Sequence, residues 1–230
     1  GGRLKDWHPA DLGGNILNAL VDRTGVDPAL IEDVIVGCVD QAGEQGMNIA
    51  RNAVLASKLP ESVPATSVDR QCGSSQQALH FAAQAVMSGA MDIVIAAGIE
   101  SMTRVPMGMP ISLPFKNGFG IYKSPNIGLE IITADGTKEM HTVDEGIRFE
   151  ANLDAMKAVK LLVEGGAITA ASSSQICDGA SGVMIVNERG LKQLGVEPLA
   201  RVHHMTVVGG DPVIMLEAPI PGTEKALKKA

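Results

Sequence analysis

Cys72 is the residue whose setting most suggests chemistry. It stands in Asp69-Arg-Gln-Cys-Gly-Ser-Ser75, between a run that reads as a strand (63–68) and one that reads as a helix (74–88). A thiol just before a helix meets backbone N–H groups that no intrahelical carbonyl satisfies. The helix dipole is expected to favour a thiolate there. Gly73, Ser74 and Ser75 are small, so a substrate can come close. The same N–H groups can hold the oxyanion formed when a thiolate adds to an acyl carbon. On these residues alone, a structural thiol beside a turn fits equally well.

The other reactive side chains point elsewhere. Cys38 lies inside Val34-Ile-Val-Gly-Cys-Val39 and reads as core. Cys177 ends a hydroxyl-rich stretch, 168–177. Three well-separated cysteines are no disulfide framework, and no metal-ligand spacing occurs, so we expect no bound metal. Free thiols suit a reducing compartment, and a cytoplasmic setting is expected. His8 and His141 fall in polar segments, and His80 lies along the helix after Cys72. His203 and His204 fall in an expected strand, one on each face. None reads as the base for Cys72.

The elements that must position Cys72 follow from period and punctuation. Residues 6–27 read as a helix, with Pro9 in its first turn, Leu12, Ile16, Ala19 and Leu20 on one face, and Gly25 as its cap. Residues 34–39 read as a buried strand and 48–58 as a second helix. Strand 63–68, helix 74–88 and strand 92–98 form a crossover unit of a parallel sheet. Residues 101–130 are rich in Met, Pro and Gly without a clear period; such a loop suits an acyl-chain contact or a subunit contact. Residues 131–145 read as polar and irregular, and 152–163 as a short helix. Asp178-Gly179 reads as a turn into strand 182–186, followed by helix 188–194, strand 199–208 and a helix from Thr223.

Composition bounds the class. The 230 residues are 45% hydrophobic, with only four Phe, Tyr122 and Trp7 as aromatics, so Val, Ile, Leu, Ala and Met must fill the core. That palette suits an α/β protein with buried parallel strands. The net charge is -7 and the basic residues are scattered, apart from Lys225, Lys228 and Lys229. No basic stripe suggests nucleic acid. No apolar run is long enough to span a membrane, and the start, GGRLKDWHP, has no signal core.

Several separated motifs resemble the thiolase family. They are Ser67-Val-Asp-Arg-Gln-Cys-Gly-Ser-Ser-Gln-Gln-Ala78 and Asp92-Ile-Val-Ile-Ala-Ala-Gly-Ile-Glu-Ser-Met-Thr-Arg-Val-Pro106. Gly43-Glu-Gln-Gly-Met-Asn-Ile-Ala-Arg51 and Gly165-Gly-Ala-Ile-Thr-Ala-Ala-Ser-Ser-Ser-Gln-Ile-Cys-Asp-Gly-Ala180 extend the likeness over nearly the whole chain. The nearest likeness is to acetyl-CoA C-acyltransferases acting on 3-ketoacyl-CoA. Ketosynthases share the fold and the cysteine, but Gln71-Cys-Gly-Ser-Ser-Gln-Gln77 is closer to thiolases.

The resemblance implies an α/β fold with a mixed, mostly parallel five-stranded sheet and part of a loop domain. It implies an N-terminal α/β core (1–100), an incomplete loop-domain segment (101–167), and a return to the core with the start of a second half (168–230). It implies that Cys72 carries the acyl group as a thioester, with its own N–H as an oxyanion donor. Ser174 matches the family's serine beside the pantetheine arm; a capping hydroxyl is its bland alternative. Coenzyme A would be a substrate, with no permanent cofactor. A homodimer or homotetramer is expected. The family's catalytic histidine, in Gly-His-Pro, has no counterpart here, and Asn-Glu-Ala-Phe is absent. Cys177 belongs to the pantetheine-side segment rather than to the family's catalytic Cys-x-Gly. The expected first strand and a helical stretch between Glu130 and Ile131 are also missing. A non-catalytic, thiolase-like acyl-CoA-binding protein or an inactive fragment is therefore the competing expectation.

Overall fold

A computed structural model describes residues 2–119, 146–210 and 216–230. Helix α1 (Pro9–Thr24) buries Ala10, Gly13, Gly14, Leu17 and Val21 on one stripe, not the expected face: there Leu12 is buried, but Ile16 and Leu20 are half-buried and Ala19 is exposed. His8 caps it: its Nδ1 accepts the Ala10 N–H at 3.2 Å. Gly25, at φ 64°, closes it in the left-handed conformation that costs glycine little. Strand β1 (Asp33–Gly37) follows, then α2 (Ile49–Leu55), β2 (Ala65–Val68), α3 (Ser74–Met87) and β3 (Ile93–Ser101). After these come α4 (Met109–Lys116), α5 (Leu153–Lys157), β4 (Asp178–Val186), α6 (Glu188–Leu194) and α7 (Pro219–Leu227).

The sheet order is β2-β1-β3-β4. β1 pairs in parallel with both β2 and β3. β4 runs antiparallel to β3, from Ile93–Val186 to Ser101–Asp178. Alternation along the strands sorts the core into two layers. Val34, Val36, Ile93 and Ile95 face α1 and α2, with Leu17, Ile49 and Val54. Ile35, Val94 and Ala96 face α3, with Ala78, Ala82 and Val86. Helices on both faces explain why β1 and β3 read as unbroken apolar runs.

Some expectations are corrected. The described sheet has four strands, not five. Residues 199–208, expected as a strand, have no regular structure, because no described strand edge pairs with them. A strand without a neighbour leaves its backbone groups to solvent. His203 and His204 therefore do not sit on opposite faces of a strand. β4 starts at Asp178, where a turn was expected, because β3 extends to Ser101 and offers it a partner. α5 ends at Lys157, short of 163; Leu162 N–H instead bonds Ile168 O in a small hairpin about Gly165. α7 starts at Pro219, ahead of Thr223. Two prolines, Pro110 and Pro114, hide α4 in the sequence; Pro110 fits its first turn, while Pro114 removes a hydrogen bond. The expectation for 131–145 lies outside the described residues.

Candidate active site

The chain turns sharply between β2 and α3, and local hydrogen bonds fix the turn. Asp69 Oδ1 accepts the Gln71 N–H at 2.7 Å. Ser74 Oγ donates to Gln71 O at 2.6 Å and accepts the Arg70 N–H at 3.0 Å. Gln71 is held at φ 47°. A non-glycine residue there is strained by roughly 1–2 kcal/mol, and strained backbone concentrates at functional sites. The N–H groups of Gly73 and Ser74 are taken by Arg70 O and Gln71 O, each at 3.0 Å. The Cys72 N–H has no hydrogen-bond partner among the described residues. Its thiol is free and exposed. So of the loop's three N–H groups from Cys72 to Ser74, the nucleophile's own is the one left open for an oxyanion.

Two glycines seat this turn on the sheet. Gly37 and Gly98 are register partners on β1 and β3. A Cβ on Gly37 would lie 2.2 Å from Ser75 N, and one on Gly98 would lie 2.1 Å from Ser75 Oγ. Only bare backbone lets the first turn of α3 rest there. Cys72 therefore sits outside the carboxyl ends of three parallel strands, where open α/β sheets bind ligands.

A polar network ties the neighbouring exits together. Glu100 accepts the Val39 N–H at 2.8 Å and Gln45 Nε2 at 2.7 Å. Gln45, fully buried, also donates to Asp40 O at 2.9 Å and accepts the Ser101 N–H at 2.6 Å. Asp40 accepts the Gly108 N–H at 3.2 Å, and Arg104 pairs with Glu44, with Nη2 at 2.7 Å. The Met-rich loop after β3 is thereby packed on residues 40–46. Burial pushes the Asp40 carboxyl up; the Gly108 bond opposes this, and Glu100 and Asp69 add to it.

The predicted residues separate into distinct places. Cys38 is buried, and burial with nearby Glu100, Asp40 and Asp69 pushes its thiol far up, so it is inert core. Ser174 and Cys177 are exposed in the segment entering β4. That entry pairs with Ser101, three residues along β3 from Gly98, or roughly 10 Å at strand rise. Their segment thus reaches the same end of the sheet as Cys72. Ser174 makes no side-chain hydrogen bond among the described residues; Thr169 and Ser172 supply the capping box nearby. His8 is a helix cap, and His203 lies within 3.4 Å of Ala230 O. His80 is buried on α3; burial, then Arg70, holds its pKa below the ordinary histidine range. His141 lies outside the described residues. Sequence reasoning missed Gln45, Glu100 and Asp178 as framework groups. Their place within the quoted motifs was the available signal.

A family model described as the thiolase N-terminal domain matches residues 1–126 and 120–189. The chain is 39% identical to the steroid 3-ketoacyl-CoA thiolase FadA6 of Mycobacterium tuberculosis, covering all of this chain and 69% of that protein. It is 34% identical to a 3-ketoacyl-CoA thiolase of Yersinia pestis, covering 72% of it. The first alignment runs over 280 positions against 230 residues here, so that relative carries segments this chain skips. A crystal structure of the Bacillus anthracis acetyl-CoA acetyltransferase superposes with a TM-score of 0.75 at 25% identity, over all of this chain and 72% of that one.

Proposed function

The chain belongs to the thiolase family, and on that premise we propose that it is an acyltransferase that cleaves 3-ketoacyl-CoA, or runs the reverse condensation, through an acyl thioester on Cys72. The Cys72 thiolate adds to the ketone carbon. The bond between that carbon and its neighbour on the CoA side breaks, and the electron pair leaves with the acetyl-CoA fragment, which takes a proton. Coenzyme A thiolate then attacks the acyl-Cys72 thioester and frees the cysteine. A thioester is exchanged for a thioester, so the acyl transfer is nearly isoenergetic. By family resemblance, proton transfer uses a histidine and a second cysteine from motifs that these residues do not match.

The observation that carries the reading is the setting of Cys72. Its thiol is exposed, its N–H is open, and its helix start rests on Gly37 and Gly98 at the carboxyl end of the sheet. Ser174 contacts the pantetheine side of CoA in this reading. CoA and acyl-CoA are its ligands, and no permanent cofactor takes part. No described helix is long and apolar enough to cross a membrane. A homodimer or homotetramer in the cytoplasm completes the proposal.

The deciding experiment is covalent. The chain is incubated with acetyl-CoA, and separately with acetoacetyl-CoA plus CoA. Intact mass should show one added acetyl group, mapped to the Cys72 peptide and discharged by free CoA. Cys72→Ser should abolish the adduct. An adduct that survives the substitution, or none on the parent, defeats the assignment.

A further inference from the structure

Asp178 joins two segments that approach the site from different parts of the chain. It is the first residue of β4 and directly follows the hydroxyl-rich segment 168–177. Its Oδ1 accepts the Ser101 hydroxyl at 3.2 Å and the Thr103 N–H at 2.8 Å. Both donors belong to the exit of β3. Ser101 is fully buried, and its N–H is bonded to buried Gln45, so Asp178 is fastened to a rigid point. By contrast, residues 171–177 are exposed, and the described ties of segment 168–177 to residues before it are Gln175 Nε2 donating to Gly146 O at 3.3 Å, the Leu162 N–H donating to Ile168 O, and an antiparallel bridge between Leu161 and Thr169. Those ties hold the start of the segment and Gln175, while Asp178 fastens its far end to the exit of β3.

We propose that Asp178 is a positioning residue: it holds segment 168–177, and with it Ser174, at the Cys72 end of the sheet so that the segment receives CoA. The claim rests on the functional reading above for the identity of the ligand, and on geometry alone for the clamp. The Cys72 turn has its own bonds and its own glycine seat, none of which involves Asp178. Loss of the clamp should therefore weaken CoA binding without disarming the thiol. A carboxamide at 178 keeps an oxygen acceptor for both donors and should serve nearly as well. A residue needed only for folding would instead lower stability, thiol reactivity and binding together.

The test compares the full chain with Asp178→Ala and Asp178→Asn. CoA affinity is measured by calorimetry, Cys72 reactivity by iodoacetamide labelling with peptide mass readout, and segment order by hydrogen exchange without ligand. Asp178→Ala should weaken CoA binding about tenfold, the worth of roughly 1.4 kcal/mol, with Cys72 labelled within about twofold of the parent rate. Exchange should quicken across 168–177 while β1 and β3 stay protected. Asp178→Asn should return both readouts toward the parent. Unchanged exchange in Asp178→Ala overturns the clamp, as does an Asn variant as impaired as Ala. A parent chain that binds no CoA sinks the ligand assignment, while the exchange comparison still decides the clamp.

Discussion

At the residue scale, the three cysteines differ by environment rather than by neighbours in sequence. Cys72 and Cys177 are exposed and Cys38 is buried with its thiol pushed up. Iodoacetamide at pH 8 should label Cys72 and Cys177 in the native chain and Cys38 only after denaturation; labelling of native Cys38 would contradict its place in the core. The paired glycines make a sharper claim. Gly37→Ala drives a Cβ against the Ser75 backbone, while Gly98→Ala meets the Ser75 side chain. Overpacking costs roughly 1–3 kcal/mol, and Gly37→Ala should lie at or above the top of that range. Urea midpoints should rank the parent first, Gly98→Ala second and Gly37→Ala last. Acylation of Cys72 should slow in the same order, because α3 must shift to make room. The thiol itself was legible in the sequence, since a cysteine between a strand and a helix is a local pattern. The seat was not, because Gly37 and Gly98 lie 61 residues apart and meet only through strand register.

At the scale of elements, the connection between strand exits depends on one buried amide. Gln45→Ala removes the acceptor of the Ser101 N–H and two donated bonds. A buried group left unpaired costs about 1–3 kcal/mol, so a loss of about 3 kcal/mol in urea unfolding is expected, with faster exchange at Ser101. Helix α3 carries the pH dependence. His80 has its folded pKa depressed by burial and by Arg70. The unfolded chain takes up a proton first, near the ordinary histidine value of about 6.5. Stability from neutral His80 is therefore complete above that value and is lost as pH falls through it toward the folded pKa. Asp33 and Asp40, raised by burial, act in the opposite sense: their stability is present in acid and lost as pH rises through their folded values. Comparing the parent with His80→Gln cancels those terms. The parent should lose more stability than the variant between pH 7.5 and 5.5; parallel curves would refute the role of His80. α3 was readable because its apolar positions recur at helical spacing, and α1 as a helix from Pro9 and its Gly25 cap; the inward face of α1 was not, because Gly13 and Gly14 on it carry no hydrophobic side chain. α4 was obscured by its prolines, whose helical fit depends on where the helix begins.

For the whole molecule, burial is unevenly shared. The fully buried side chains come from residues 9–105, while residues 146–177 bury none. Lys157 is exposed at the end of α5, and Lys160 lies just beyond it. Limited trypsin treatment should cut after Lys157 or Lys160 well before any site between Arg23 and Arg104. Far-UV circular dichroism should change little on that cut, since β4 stays paired with β3 by nine residue pairs. Early cleavage after Arg51 would contradict this distribution, because its guanidinium is bonded to Val63 O and Glu61 O at 2.7 Å each.

The amino-acid sequence by itself determined the α/β class, the helices that bracket Cys72 and the strands β1 to β3. Each of these rests on short-range periodicity or on a residue with one strong backbone preference, such as Gly25 at a helix end. Only the tertiary structure decided the sheet order, the early start of β4 at Asp178, the lack of a strand at 199–208, and the burial of His80. Those outcomes depend on which edges find partners and how closely elements approach. Such contacts join residues tens of positions apart, where a local pattern carries no record of distance. The same reason explains why Cys72 could be singled out from its neighbours, while the glycine seat that holds it in place emerged only from the packing of α3 on β1 and β3.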